Sequence, residues 1–434
     1  MKATISHKSL IVYTLSILLF GVFYIHQKQL YLASGFLFLL FFSIWLLYKP
    51  EIVLYLYLSS FLPLLYTFGY LGIDNLNFLI ISVIASVSLL LSIYKYKKPP
   101  HISKNNFLCI ALIFGIISFG LLNDSLGESF LISIRFIVYT ILPLIITSFI
   151  IKKDQLIQLI DKAIIFNSII TISIILLYIF NSYAIFKWKI ESTIGLSFFC
   201  LISISLIVLR KARSFYHRLV LVLSIGLIVI LFQRAFILSV GLMIIWMIIS
   251  RGSLNNKLKT LIIIGIASLL AVPLIIPDAR LEKIRQTEVL TKNIKNLDDL
   301  KNKEELGSIG DRLYLWDFSI KYTLKNSPWV GNGFGEFKNV SIFEYPHNLV
   351  IDIFFCTGIL GTFVFFLFVV IVIYLLSENK IFRKSYEYSA LIGILGSFLT
   401  VLLFSGGFNK SSFYLFIYLI GFSLHFKKLH VNYL

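Results

Sequence analysis

The stretch LVLVLSIGLIVILFQRAFILSVGLMIIWMII, residues 219–249, decides the fold class of this chain. Its strongly polar residues are Gln233 and Arg234, which stand together near its middle. A membrane helix needs about 20 apolar residues to cross roughly 30 Å of hydrocarbon. These 31 residues are too many for one span and enough for two short ones. They predict two membrane helices joined by a tight hairpin with Gln233 and Arg234 at its tip.

The rest of the chain has the same apolar character. Of the 434 residues, 58% are hydrophobic and only 14% are charged, whereas a soluble domain carries roughly 25% charge. This composition excludes a soluble globular enzyme. It predicts an all-α polytopic integral membrane protein with about 14 transmembrane helices. The predicted spans are residues 9–25, 31–48, 52–70, 76–94, 107–122, 130–151, 163–180, 190–209, 217–232, 235–250, 259–276, 357–376, 386–404 and 411–426.

The distribution of Lys and Arg explains the net charge of +18 and predicts the orientation. Alternate connections hold 22 of these residues, and positively charged short loops stay in the cytoplasm. Both termini are therefore expected in the cytoplasm. Because the charge follows the membrane, nucleic acid is not expected as a partner. The opposite short connections carry only Lys28, Lys187, Lys189, Arg234 and Lys410.

One outer connection, residues 277–346, is far longer than the others. It holds 11 basic and 11 acidic residues, and a loop of this length is usually functional or structured. Residues 311–326 predict an amphipathic helix, and residues 331–335 predict an irregular turn. The chain is thus divided into an N-terminal helix bundle at 1–276, an extracytoplasmic loop at 277–346 and C-terminal membrane helices at 347–434. The helix would place on one face Leu313, Trp316, Ile320 and Leu324.

Two arginines lie where membrane burial disfavours charge. Arg135 is within the sixth predicted span, where an arginine costs about 2.5 to 3.5 kcal/mol on insertion scales. It should face the bundle interior or a wet cavity. It either holds a lipid phosphate, forms an ion pair between helices or extends its side chain to the membrane surface. Arg234 at the hairpin tip either has a functional role or extends to the lipid headgroups. The conceivable ion-pair partners of Arg135 are Asp124, Glu128 and Asp352.

Two further candidates lie in the long loop and at its end. Arg312 is in the first turn of the predicted helix, one turn before Trp316, and its ordinary alternative is a solvated surface arginine. His347 lies in the segment Tyr345-Pro346-His347-Asn348 just before the next apolar residues. Its ordinary alternative is a hydrogen-bonded residue at the membrane boundary. The cysteines lie in apolar runs and predict neither a disulfide framework nor a metal site.

Together these motifs resemble the O-antigen polymerase and O-antigen ligase superfamily of bacterial surface polysaccharide assembly. The resemblance extends over residues 217–376. One departure is Gln233, where the family commonly has a serine before the arginine. The residues that carry the resemblance are Gln233-Arg234-Ala235, Asp311-Arg312-Leu313-Tyr314-Leu315-Trp316, Pro328-Trp329-Val330-Gly331-Asn332-Gly333, His347-Asn348-Leu349 and the pair Gly358 and Gly361.

The resemblance implies an inverting, metal-independent glycosyltransferase with a GT-C-like membrane fold and no cofactor. Its donor is an undecaprenyl-diphosphate-linked oligosaccharide. Arg234 and Arg312 would hold the diphosphate, because guanidinium groups bind phosphate in a bidentate manner. His347 would be the general base. Arg135 and Asn348 would assist in substrate binding, although Asn348 could equally cap a helix. The aromatic residues that either stack on sugars or pack the loop onto the bilayer are Trp316, Trp329, Phe334 and Tyr345.

The resulting prediction is an oligosaccharide repeat-unit polymerase in the bacterial inner membrane, with its active site at the outer face. It would extend a lipid-linked acceptor of O-antigen lipopolysaccharide or capsule, with the lipid bilayer and a chain-length regulator as further candidate partners. Fourteen spans favour a polymerase over a ligase that transfers glycan to lipid A core or protein. A lipid-linked oligosaccharide flippase or other transporter is the alternative of another class, and short outer loops would be expected of it.

Overall fold

The computed structural model describes residues 86–97, 102–123, 126–180, 190–211, 215–230, 234–250, 309–341, 345–408 and 410–431. In these residues the regular secondary structure is helical, which confirms the all-α prediction for this part of the chain. Beyond residues 86–96, which are also helical, the helices are α1 (Lys104–Leu121), α2 (Leu126–Phe136), a π-helix (Ile137–Ile141), α3 (Leu142–Ser148), α4 (Lys153–Phe180), α5 (Ile190–Leu209), α6 (Phe215–Ile230), α7 (Arg234–Ile249), α8 (Ile309–Asn326), α9 (Glu336–Val340), α10 (Leu349–Ser377), α11 (Lys380–Arg383), α12 (Tyr386–Ser405) and α13 (Ser411–Val431).

Four helical stretches within the described residues are long and apolar enough to cross a membrane. They are Lys104–Leu121, Phe130–Ser148, Leu349–Ser377 and Tyr386–Phe404. Three of them lie within a few residues of predicted spans. The remaining stretch, α10, begins at Leu349, before the predicted span at 357–376, and its backbone is non-helical at Gly358, close to the start of that span. The predicted spans at 9–25, 31–48, 52–70 and 259–276 lie outside the described residues.

The described residues belong to two compact units. The first contains α4, α5 and α6, with α5 packed on both of the others. Its charged contact joins Arg210, directly after α5, to Asp161 on α4. The guanidinium donates to both carboxylate oxygens, with Nε to Oδ1 at 2.5 Å and Nη2 to Oδ2 at 2.9 Å. Such a bidentate pair fixes the end of α5 against α4.

The second unit covers Ser103–Tyr139 and Arg234–Leu424 and contains all the predicted site residues. In it α1 packs on α10, α7 on α12, and α8 on α10. Aromatic and aliphatic side chains such as Ile113 and Phe368 are fully buried between these helices. The indole nitrogen of Trp246 on α7 donates to the carbonyl oxygen of Ser389 on α12 at 3.0 Å. This unit is therefore the framework that positions the candidate site.

A break in α10 at Gly358 receives the irregular turn of the loop. Gly358 has φ 64° and ψ −160°, which interrupts the helical hydrogen bonds around it. The freed amide of Ile359 donates to the carbonyl of Pro328 at 2.9 Å, and that of Leu360 donates to the carbonyl of Trp329 at 3.1 Å. Buried backbone groups need partners, and here the turn supplies them.

The same turn also satisfies carbonyl groups on the other side of the break. The amide of Asn332 donates to the carbonyl of Phe355 at 2.8 Å, and the amide of Gly333 donates to that of Cys356 at 3.0 Å. The side-chain amide of Asn332 adds a bond to the Phe355 carbonyl at 3.1 Å. The turn therefore supplies hydrogen-bond partners to the helix on both sides of the break. Residues 328–333 and Gly358 thus form one structural unit.

Helix α8 corresponds to the helix predicted for residues 311–326 and begins two residues earlier. The apolar face predicted for this helix is not the face that packs against the protein, since Ile320 is 37% and Leu324 is 52% exposed. The buried face holds Leu315, Ser319 and Thr323, at 3%, 0% and 0% exposure. Small residues let two helices approach closely in membrane proteins, and α8 packs on α10 with the ring of Tyr322 stacked on that of Phe355.

Candidate functional site

His347 stands immediately before α10 in a backbone conformation that few residues adopt. Its φ is 59°, in the left-handed region, which a side chain occupies at a cost of order 1 to 3 kcal/mol and only when its surroundings hold it there. On one side, Asn348 caps α10 by accepting from the amides of Val350 at 2.9 Å and Ile351 at 3.1 Å. On the other, the ring of Tyr345 lies 4.3 Å from the imidazole, between centroids.

The Asn348 side chain thus has the capping role that the sequence left open. Its oxygen is the acceptor for the first free amides of α10. A cap of this kind fixes both the start of the helix and the direction of the residue before it. The cap therefore positions His347 through the backbone. Orientation of the imidazole by Asn348 stays a prediction.

Helix α8 contacts this segment through Trp316 and contacts α12 through Arg312, one turn earlier. The indole nitrogen of Trp316 donates to the carbonyl of Pro346 at 3.0 Å. Arg312, one turn earlier, is half-buried and donates from Nη1 to the carbonyl of Phe404 near the end of α12. The structure therefore brings the loop helix with Arg312 against the segment that carries His347.

The connection between α12 and α13 forms another side of the site. The buried carboxylate of Asp352, in the first turn of α10, accepts from the amide of Phe408 at 2.6 Å. The Lys410 ammonium lies 4.5 Å from the ring centroid of Tyr345. Sequence reasoning counted Lys410 only as a charge on an outer connection and Asp352 only as a conceivable partner of Arg135. The available signal was an isolated lysine closely following Gly406-Gly407 between two spans.

The turn after α8 is held from the α1 side as well. The side-chain amide of Asn123 donates to Ser327 Oγ at 2.9 Å and to the Gly331 carbonyl at 2.6 Å. Phe334 is buried over Gly120, where a Cβ atom would lie 2.1 Å from the ring. Phe334 is thus a packing residue of the turn. Trp329 has its side chain 63% exposed while its backbone fills the break in α10.

Electrostatics within the loop are local. The hydroxyl of Tyr322 on α8 donates to Glu336 Oε1 at 3.5 Å. Burial and the neighbouring Glu336 carboxylate raise the pKa of Tyr322 above its usual range. This side chain therefore remains a neutral hydrogen-bond donor that ties α8 to α9.

Arg234 is the first residue of α7, and α6 ends at Ile230. This agrees with two helices separated by a very short connection. The first amides of a helix have no intrahelical acceptor and carry a partial positive charge, which favours an anion at this end. The side chain of Arg234 and the residues 231–233 lie outside what the structure describes.

Arg135 lies in the last turn of α2, half-buried, and a π-helix follows directly at Ile137–Ile141. Helix α3 then begins with Pro143 in its first turn. Single π turns often mark functional positions in helices. Of the suggested ion-pair partners, Asp352 is engaged by Phe408, while the side chains of Asp124 and Glu128 lie outside the described residues.

In the part of the chain that the structure describes, no group of three or more His, Cys, Asp and Glu residues is arranged to hold a metal ion. The three cysteines are buried and unpaired with one another. The described groups around the site include guanidinium, ammonium, imidazole, carboxylate and aromatic side chains.

Comparison with protein families agrees with the motifs. Residues 219–366 match the family described as O-antigen ligase, which confirms the predicted resemblance to the O-antigen polymerase and ligase superfamily. The match spans the hairpin arginine, the loop helix, the turn and the broken helix. It indicates an enzyme of the O-antigen polymerase or ligase type that acts in the membrane. No curated protein matches the chain significantly.

Proposed function

We propose that this protein is an oligosaccharide repeat-unit polymerase. It transfers a glycan from an undecaprenyl-diphosphate-linked donor to a lipid-linked acceptor at the outer face of the inner membrane. The observation that carries the proposal is the bond between Trp316 on the loop helix and Pro346. That bond joins the element bearing Arg312 to the segment bearing His347, which supports the assignment of a phosphate-binding cation and a general base to one site.

The leaving group of this reaction is a lipid diphosphate. Negative charge grows on it as the glycosidic bond breaks, so preorganised cations stabilise the transition state more than the ground state. Arg312 and Arg234 serve this purpose in the proposal, and bidentate hydrogen bonds make arginine well suited to it. The position of Arg234 at the first residue of α7 supports the assignment, because the free amides there also attract an anion.

His347 acts as the general base. The acceptor hydroxyl attacks the anomeric carbon of the donor, the bond to the diphosphate oxygen breaks with inversion, and the hydroxyl proton moves to the imidazole. An imidazole with an ordinary pKa near 6.5 is largely neutral at pH 7 and can accept that proton. Nearby arginines keep the diphosphate from stabilising the protonated ring. No metal takes part in the proposed mechanism.

The remaining site residues bind substrate. Arg135, beside the π-helix, contacts a lipid phosphate, and Asn348 holds the start of α10 in place. Trp316, Trp329 and Tyr345 offer flat aromatic surfaces for sugar rings. Of these, Trp316 and Tyr345 are supported by their contacts with Pro346 and His347.

The proposed architecture is GT-C-like, with about fourteen spans and both termini in the cytoplasm. Residues 1–276 form the N-terminal membrane bundle, 277–346 the extracytoplasmic loop and 347–434 the last membrane helices. In this orientation the site lies outside the cytoplasm, where lipid-linked repeat units are polymerised. The product belongs to O-antigen lipopolysaccharide or capsule, and a chain-length regulator is a further candidate partner.

The second candidate function is that of a ligase, favoured by the description of the matching family. A ligase would use the same donor and the same leaving group and would transfer the finished glycan to lipid A core or to a protein. The chemistry at His347 and the arginines would be identical. The acceptor alone distinguishes the two enzymes.

The test is the glycan phenotype of cells that carry His347→Ala. Loss of a polymerase leaves single repeat units on the surface, and loss of a ligase leaves long chains on undecaprenyl diphosphate. Loss of a flippase or transporter instead accumulates repeat units on the cytoplasmic leaflet. His217→Ala, on α6, is the matched control and should keep wild-type chain lengths. Glycan chains of wild-type length in the His347 variant would contradict the assignment of His347 as the general base.

A further inference from the structure

Lys410 contacts the same aromatic ring as the candidate base, and the mechanism above gives this lysine no role. Its ammonium is 4.5 Å from the ring centroid of Tyr345, and that ring is 4.3 Å from the imidazole of His347. Tyr345 therefore contacts both groups. A lysine on a short connection between two apolar helices could have extended to solvent, yet this one lies over an aromatic face in the site.

The backbone around Lys410 is fixed by a buried carboxylate. Asp352 is 5% exposed and accepts from the amide of Phe408 at 2.6 Å. Gly407 lies against Tyr345, since a Cβ atom there would be 2.7 Å from Tyr345 Cδ2 and 3.2 Å from Asp352 Oδ2. The amide of Lys410 donates to the Gly407 carbonyl at 3.2 Å. The position of Lys410 is therefore set by the same helix, α10, that follows His347.

Aromatic packing holds the connection from its other side. The ring of Phe408 stacks on Phe334 at 5.3 Å between centroids and lies 4.7 Å from Phe413. Phe334 belongs to the turn that fills the break in α10, and Phe408 is 1% exposed. This packing ties the backbone of the α12–α13 connection to the loop.

Arg312 approaches this connection as well. Its guanidinium donates to the carbonyl of Phe404, two residues before Gly406. Arg312 thus contacts the end of α12, just before the connection that carries Lys410. The leaving group in the proposed reaction is anionic, and cations near its binding position would stabilise it. Lys410 also interacts electrostatically with the carboxylate of Asp352.

We propose that Lys410 is a further binding residue for the diphosphate of the lipid-linked donor. This inference rests on the proposed function. A lysine ammonium is a compact charge on a flexible stem, and its hydrogen bond to phosphate is stronger than a cation–π contact at a partly exposed site. The ammonium therefore leaves the Tyr345 ring when the diphosphate enters. Asp352 acts as a positioning residue by holding the connection through Phe408.

The experiment uses the full-length protein in lipid nanodiscs, with undecaprenyl diphosphate as the probe and undecaprenyl monophosphate as the comparison. Binding is measured by native mass spectrometry, and glycan transfer is measured separately. Lys410→Gln is expected to weaken diphosphate binding by about 10- to 100-fold, the range for one charge-assisted hydrogen bond. Monophosphate binding should weaken less. Lys410→Arg keeps the charge and should retain most of the affinity.

Lys325→Gln, an exposed lysine in the last turn of α8, is the matched control and should bind like the wild type. Thermal melting of each variant separates loss of affinity from loss of folding, and the arginine variant supports the inference if it restores binding. Unchanged diphosphate binding in Lys410→Gln overturns it, as does an equal loss for both lipids. A wild-type protein that binds the diphosphate through Lys410 and never transfers glycan would overturn the proposed function alone.

Discussion

Gly331 and Gly358 are in backbone contact and each excludes a side chain from the other. A Cβ atom on Gly358 would lie 2.5 Å from the amide nitrogen of Gly331, and one on Gly331 would lie 2.3 Å from the amide nitrogen of Thr357. Both glycines have positive φ, at 75° for Gly331 and 64° for Gly358. Each position therefore requires glycine for two reasons, its positive φ and the lack of space for a side chain. The loop turn and the broken helix can form only together.

Gly331→Ala and Gly358→Ala should each lower the free energy of unfolding by about 2 to 4 kcal/mol, from the left-handed conformation together with the steric overlap. Melting temperature in detergent measures the loss. The control is Gly396→Ala on α12, where no atom lies within 4 Å of the added Cβ, so that change should be neutral or slightly stabilising. Equal melting temperatures for all three variants would contradict the requirement for glycine at positions 331 and 358.

Trp316→Phe should reduce both stability and turnover, because it removes the bond that holds Pro346. One lost hydrogen bond is worth about 1 kcal/mol. Trp246→Phe is the matched comparison, since the Trp246 indole makes a bond of the same length to the Ser389 carbonyl. Both variants should melt earlier by a similar amount, and Trp316→Phe alone should lose several-fold in kcat. Full turnover in Trp316→Phe would show that the bond does not position His347.

Arg312→Gln should lower kcat/KM by roughly 10²- to 10³-fold, the range seen when one preorganised transition-state donor is removed. Arg312→Lys should recover little of this, because a lysine cannot reproduce two parallel hydrogen bonds to phosphate. Arg383→Gln on α11, an exposed arginine, should keep wild-type kinetics. The assay is glycan transfer by purified protein at equal folded fraction. Full activity in Arg312→Lys would show that a positive charge at this position is sufficient and that bidentate hydrogen bonds are not required.

Turnover should persist in excess EDTA, because the proposed mechanism stabilises the diphosphate with arginine side chains. The measurement is the transfer rate of purified protein before and after chelation. Loss of activity that a divalent ion restores would contradict the arginine mechanism. A chelator-sensitive glycosyltransferase assayed in the same buffer shows that the chelation is effective.

The outcome for α8 illustrates why helix presence and helix packing differ in how well sequence predicts them. Apolar spacing and Pro328 sufficed to locate the helix within two residues at its start and to give its end. The spacing pointed to the wrong face, because in a membrane protein large apolar residues also face outward. The buried face depends on α10, and Ser319 and Thr323 suit it through their small size.

The sequence by itself determined the features that depend on local chemistry. Hydrophobic length fixed the helical membrane class, and the motifs around Arg234, Arg312 and His347 were sufficient for the superfamily assignment. The tertiary structure decided which residues meet. The break at Gly358, the carboxylate of Asp352 on Phe408 and the ammonium of Lys410 over Tyr345 join positions far apart in the chain. Such contacts depend on backbone hydrogen bonds and close packing between distant segments, and no periodicity in the sequence encodes them.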